Sequence, residues 1–159
     1  METQGLLEAV QLAMEAERSA RQFYLKAAEK AQNPQGKALL LELADFEAYH
    51  EEKLHALMTS LNAGKYLVYE DKEMRDPRPE GGAWDTREVN FQEMADILAL
   101  AMDVEKKVQE RYEGLAAATT DPMGKAMFER LALEEATHHR ILSDEFYSLS
   151  NEGLWVWSE

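Results

Sequence analysis

Positions 12 to 50 find counterparts at positions 100 to 138 at a constant offset of 88 residues, with no gap. Leu12-Ala13-Met14 returns as Leu100-Ala101-Met102, Glu17 as Glu105, Tyr24 as Tyr112 and Pro34 as Pro122. Gly36-Lys37-Ala38 returns as Gly124-Lys125-Ala126, and Glu47 with His50 as Glu135 with His138. Sequences rich in Ala and Glu resemble one another by composition alone. The His, Tyr and Pro matches in the same register do not arise that way. A duplicated segment forms the same unit twice, and two such units bury their apolar faces against each other.

The unit is a helical hairpin. Residues 4–31 and 36–61 contain no proline and are rich in Ala, Leu, Glu and Lys, which favours helix. Between them Asn33-Pro34 supplies an N-cap followed by proline at the first helical position. The second copy predicts helices over 90–118 and 122–149, the fourth opened by Asp121-Pro122 and the third by Asn90 with Glu93 in the form of a capping box. Residues 62–89 lose periodicity and carry Gly64, Pro77, Pro79, Gly81 and Gly82, reading as a long crossover with a short extended piece at Tyr66–Tyr69. A tail, 150–159, holds Trp155 and Trp157, which either cap an open bundle end or join a subunit contact. The expectation is one all-α domain over 1–159, an antiparallel four-helix bundle made of two repeated hairpins.

The core seam of a bundle helix advances by alternating steps of three and four. It reads Leu6, Val10, Ala13, Glu17, Ala20, Tyr24, Ala27 in the first helix and Leu40, Leu43, Glu47, His50, Leu54, Leu57, Leu61 in the second. In the third it reads Met94, Leu98, Ala101, Glu105, Val108, Tyr112, Leu115, and in the fourth Phe128, Leu131, Glu135, His138, Leu142. Every helix thus places one carboxylate in its apolar stripe, near its middle, where antiparallel packing gathers them at one level. No Lys or Arg shares these seams. Carboxylates so buried would cost several kcal/mol each unless compensated. Two divalent cations would offset four carboxylates, and carboxylate with imidazole suits iron or manganese and admits zinc. Glu-x-x-His puts both ligands one turn apart on one face, and the pair occurring twice with a Glu from each of two other helices is a di-iron carboxylate pattern. The candidate metal ligands are Glu17, Glu47, His50, Glu105, Glu135 and His138. Tyr24 and Tyr112 lie two turns from Glu17 and Glu105 and could hydrogen-bond a carboxylate or simply fill core. His55 and His139 fall off the seam.

Composition removes the competing chemistries. The chain has no cysteine, which excludes disulfides, thiolate catalysis and iron–sulfur clusters. A net charge of −14 opposes nucleic acid or anionic membrane as a partner. No run approaches the ~18 apolar residues of a membrane span, and Met1 to Gly5 shows no export signal, so the cytoplasm is the expected setting.

These residues resemble the rubrerythrin branch of the ferritin-like di-iron proteins over nearly the whole chain. Glu17 with Phe23-Tyr24 and Glu47-Ala48-Tyr49-His50 look like the first half-site; Glu105 with Tyr112 and Glu135-Ala136-Thr137-His138 look like the second. The resemblance implies that Glu47 and Glu135 bridge two irons, that Glu17 and Glu105 are terminal, that each iron takes one His, and that Tyr24 and Tyr112 stand beside the cluster. It implies a non-haem di-iron peroxidase or oxidase, acting on hydrogen peroxide or dioxygen, and a homodimer. Two departures stand out. Rubrerythrins proper carry a four-cysteine rubredoxin-type domain, absent from this sequence, so a separate electron donor is expected. They also tend to place an extra Glu where Val108 stands. A ferroxidase serving iron handling or storage is the alternative function, although the tail is too short for the fifth helix of a ferritin shell. A bundle whose metal is structural, or whose role is to bind a partner, is a third.

Overall fold

The computed structural model describes residues 3–63, 70, 72 and 85–157. The expected extended piece at Tyr66–Tyr69 and most of the crossover lie outside these residues. Four helices account for nearly all that is described: α1 (Thr3–Lys30), α2 (Pro34–Ala63), α3 (Phe91–Ala118) and α4 (Pro122–Glu152). None of them is long and apolar enough to cross a membrane.

The hairpin turns follow the proline signals. Asn33 Oδ1 accepts the Gln35 N–H at 2.8 Å, and Asp121 Oδ1 accepts the Gly124 N–H at 2.8 Å, capping α2 and α4 just where proline opens each helix. The repeat extends to a lysine clasp: Lys37 Nζ donates to the Ala28 carbonyl and Lys125 Nζ to the Ala116 carbonyl, tying each helix start to the preceding helix end. At α3 the expected capping box takes another form. Asn90 makes no side-chain bond to the helix backbone; its amide nitrogen donates to Glu93 Oε2 at 3.1 Å and its backbone N–H to Glu88. α4 runs to Glu152, beyond the expected 149, because Gly153 at φ 69° supplies a left-handed C-cap whose N–H bonds the Ser148 and Leu149 carbonyls.

α1 packs along α2 and α3 along α4, and the two hairpins face each other. Their seams bury two apolar clusters. One, toward the α1–α2 turn, contains Tyr24, Leu39, Leu40, Leu43, Leu98, Leu142 and the two tail tryptophans. The other, toward the α3–α4 turn, contains Leu6, Val10, Leu54, Leu57, Tyr112, Phe128 and Leu131. Between these clusters lies the polar layer that the seams place at mid-helix.

The tail covers the bundle end. Trp155 and Trp157 are buried there, Trp155 over Gly36, where a Cβ would fall 2.2 Å from the indole ring. Arg87 pairs antiparallel with Leu154, Gln35 Nε2 donates to the Trp157 carbonyl, and Glu88, itself buried, accepts from Gln32 N, Asn33 N, Asn90 N and Trp155 Nε1. Of the two roles open to the tryptophans, the described chain uses the cap.

Candidate metal centre

All six candidate ligands are at most 1% exposed. They fall into two overlapping groups whose ligand atoms lie within 4.8 Å of one another: Glu17, Glu47, His50 and Glu135, and Glu47, Glu105, Glu135 and His138. α1 and α3 each contribute one Glu to one group. α2 and α4 contribute Glu47 and Glu135 to both, because each of these carboxylates turns one oxygen to each side. Glu47 Oε2 lies 3.8 Å from His50 Nδ1 and its Oε1 3.7 Å from His138 Nδ1. Glu135 Oε1 lies 3.1 Å from His50 Nδ1 and its Oε2 3.7 Å from His138 Nδ1. The imidazoles stack with centroids 6.1 Å apart and Nδ1 facing the carboxylates.

The tyrosines cross between hairpins. Tyr24 on α1 donates its hydroxyl to Glu105 on α3, and Tyr112 on α3 donates to Glu17 on α1. Each serves the carboxylate of the other copy, although helical spacing alone points equally to that of its own. Burial, then the charges of the nearby glutamates, push both phenols well above their usual pKa, so they remain neutral donors. His55 is exposed and His139 half-buried, and neither joins either group.

Whether these donors fit metal is tested by what they leave unpaired. Glu17 Oε2, Glu47 Oε1, Glu135 Oε2 and His138 Nδ1 are buried and make no hydrogen bond among the described residues. Native interiors hold only about a few such atoms per hundred residues, and here four converge on one layer. The proton affinities show the same frustration. Burial, then the charges of Glu135 and Glu17, push the Glu47 carboxyl well above the usual carboxylate range. Burial lowers His50, but the nearby charge of Glu17 and the hydrogen bonds to Glu134 and Glu135 outweigh it and raise the imidazole well above its ordinary value. Burial would also raise Glu135, yet the close approach of the His138 and His50 imidazoles holds it at about 2. Protons thus substitute for missing positive charge. Hard carboxylate oxygens and imidazole nitrogens converging on one layer are compatible with a di-iron centre.

A family model for rubrerythrin matches residues 8–146, a span containing all six candidates and both tyrosines. The chain belongs to the rubrerythrin family. Among solved structures, this rubrerythrin-family chain is similar to a hypothetical protein from Pyrococcus furiosus, at 27% identity and TM-score 0.73 over 94% of this chain and 93% of that one. It also matches a two-domain protein from Anabaena variabilis containing DJ-1/ThiJ/PfpI-like and ferritin-like domains, at 18% identity and TM-score 0.72, covering 100% of this chain and 41% of that one. The second likeness concerns the fold. A search of curated proteins gave no match.

Sequence reasoning missed one residue of this rubrerythrin-family site, Glu134, whose Oε2 lies 2.5 Å from His50 Nε2. Its place directly before Glu135 hid it among the surface acids of α4. Comparison of the repeats exposes it, since its counterpart is the apolar Phe46.

Proposed function

We propose that the chain is a di-iron oxidoreductase that reduces hydrogen peroxide or dioxygen with electrons from a donor outside these 159 residues. The observation that carries this reading is the set of orphaned donor atoms on Glu17, Glu47, Glu135 and His138, gathered in a layer where no Lys or Arg is buried among the described residues. Glu47 and Glu135, with an oxygen toward each group, are suited to bridge; Glu17 and Glu105 would be terminal, with His50 and His138 one to each metal. Iron, when bound, supplies the two electrons that convert H2O2 and two protons to two waters, and the donor restores them. These 159 residues hold no cysteine, so no thiolate-held redox group within them serves as that donor.

The chain's own residues bind, orient and exclude water. The two apolar clusters close the layer from both ends. Tyr24 and Tyr112 fix the outer oxygens of Glu105 and Glu17 and keep a neutral O–H beside the centre, in position to assist proton delivery. Manganese could take the same donors, and zinc, which has no redox chemistry, would keep the structure without this reaction. The working form is taken to be a cytoplasmic homodimer, checked by light scattering and cell fractionation.

Stopped-flow mixing of the Fe(II)-loaded chain tests the reaction. Absorbance of the oxidised centre should rise with peroxide or with dioxygen and be cleared by a reductant over repeated cycles. If both oxidants leave the loaded chain unchanged over minutes, the proposal fails. Val108, half-buried against the cluster around Tyr112, favours a second reading, because it offers no extra carboxylate at the centre. In that reading the chain is a ferroxidase for iron handling, and many irons retained per chain, with little turnover by reductant, would distinguish it.

A further inference from the structure

The duplication supplies an internal control for each residue of the centre. Phe46 and Glu134 occupy equivalent positions, 88 residues apart and each one residue before a two-sided carboxylate. Both reach across to the imidazole of the opposite hairpin. The Phe46 ring meets the His138 ring edge to face, with centroids 4.7 Å apart and planes at 85°. Glu134 instead brings Oε2 to 2.5 Å from His50 Nε2.

His50 points Nδ1 inward, 3.1 Å from Glu135 Oε1 and 3.5 Å from Glu17 Oε2, so Nε2 is its outward nitrogen. A carboxylate accepting the outward N–H fixes the tautomer with its lone pair inward, holds the ring plane and makes the imidazole a stronger donor. Phe46 has no acceptor to offer His138. The Glu134 side chain is only 14% exposed, so its charge acts on His50 through a medium that screens less than water.

We propose that Glu134 is a positioning residue that makes the two metal positions unequal: the position framed by Glu17, Glu47, His50 and Glu135 takes a divalent cation first and holds it more tightly than the position framed by Glu47, Glu105, Glu135 and His138. This rests on the reading of the six residues as metal ligands and adds an order of loading to it.

The test is titration of the chelator-stripped full-length chain with Co(II) against a competing chelator, followed by cobalt d–d absorption. Wild type should show two steps whose constants differ by about 10–100-fold. Glu134→Ala should weaken the tighter step by that factor and leave the other in place, bringing the constants together. Glu134→Gln keeps an acceptor without the charge and should recover part of the loss; if the alanine variant does not fold, this one carries the comparison through a smaller loss confined to the same step. In the His138→Ala background the remaining step should respond to Glu134→Ala, and in the His50→Ala background it should not. Equal weakening of both steps, as a merely structural role would give, overturns the proposal, as does an unaltered gap. Two equal wild-type steps overturn it while leaving the two-metal reading standing; no cobalt bound by wild type removes both.

Discussion

At the scale of single residues, the centre is a charge problem that metal-free protein solves with protons. Glu47 and His50 bind protons more tightly folded than unfolded. Their contribution to stability is therefore complete below the unfolded values of about 4.3 and 6.5 and is lost as pH rises through the folded ones. Glu145 adds to the same decline: burial pushes it to about 7 despite the backbone N–H groups of Val156 and Trp157. Glu135, held at about 2, works oppositely, contributing above an unfolded value of about 4.3 and losing that contribution as pH falls toward 2. Urea midpoints of the chelator-stripped protein should therefore fall as pH rises from about 5 to about 8. Metal binding must displace the protons on Glu47 and His50, so Co(II) affinity should rise over that window with measurable proton release. A pH-independent affinity would contradict this account. Tyr24→Phe or Tyr112→Phe removes a donor from a buried carboxylate and should cost about 2 kcal/mol, a fall of about 4–8 °C in Tm, read calorimetrically on the stripped protein.

At the scale of elements, what was legible in the sequence had a period or a cap, and what was not depended on contacts distant along the chain. The seams are an example: Ala13, Glu17, Ala20 and Tyr24 of α1, and Leu131, Glu135, His138 and Leu142 of α4, are all buried as the three-four stepping requires. Asn33-Pro34 and Asp121-Pro122 gave the α2 and α4 starts because capping is local. Asn90 likewise marks the start of α3, but its capping box does not form because Glu88, two residues away, captures its N–H, and nothing periodic marks Glu88. Nor could spacing tell Tyr24 to bond Glu105 rather than Glu17, since that choice is made by the other hairpin. Glu88 joins the α1–α2 turn, the start of α3 and the tail. Glu88→Ala would leave the buried N–H groups of Asn33 and Trp155 without this acceptor and should destabilise by about 3 kcal/mol or more in urea unfolding. Gly36→Ala would thrust a methyl into the Trp155 ring. It should cost about 1–3 kcal/mol and shift tryptophan emission to the red as the tail lifts; unchanged emission would mean that the tail does not cap this end.

For the whole molecule, duplication explains how a small chain builds two overlapping groups of candidate metal ligands. Each hairpin carries half of the ligands, and each half is completed by a carboxylate from the other, so neither Glu47 nor Glu135 serves its own copy alone. A cation that binds this layer in the folded chain and not in the unfolded one couples metal binding to folding. Loading at 100 times the dissociation constant should add about 2.7 kcal/mol per site to stability, and a chelator should reverse it. The charge argument stands or falls on the number of cations the layer accepts. The direct measurement is anaerobic Fe(II) titration of the stripped full-length chain, with bound iron counted per chain after removal of free metal. The account predicts two irons per wild-type chain, with retention lost when Glu47 and Glu135 are both replaced by Gln. A well-folded wild-type chain that retains no iron, or a double variant that still retains two, would contradict it.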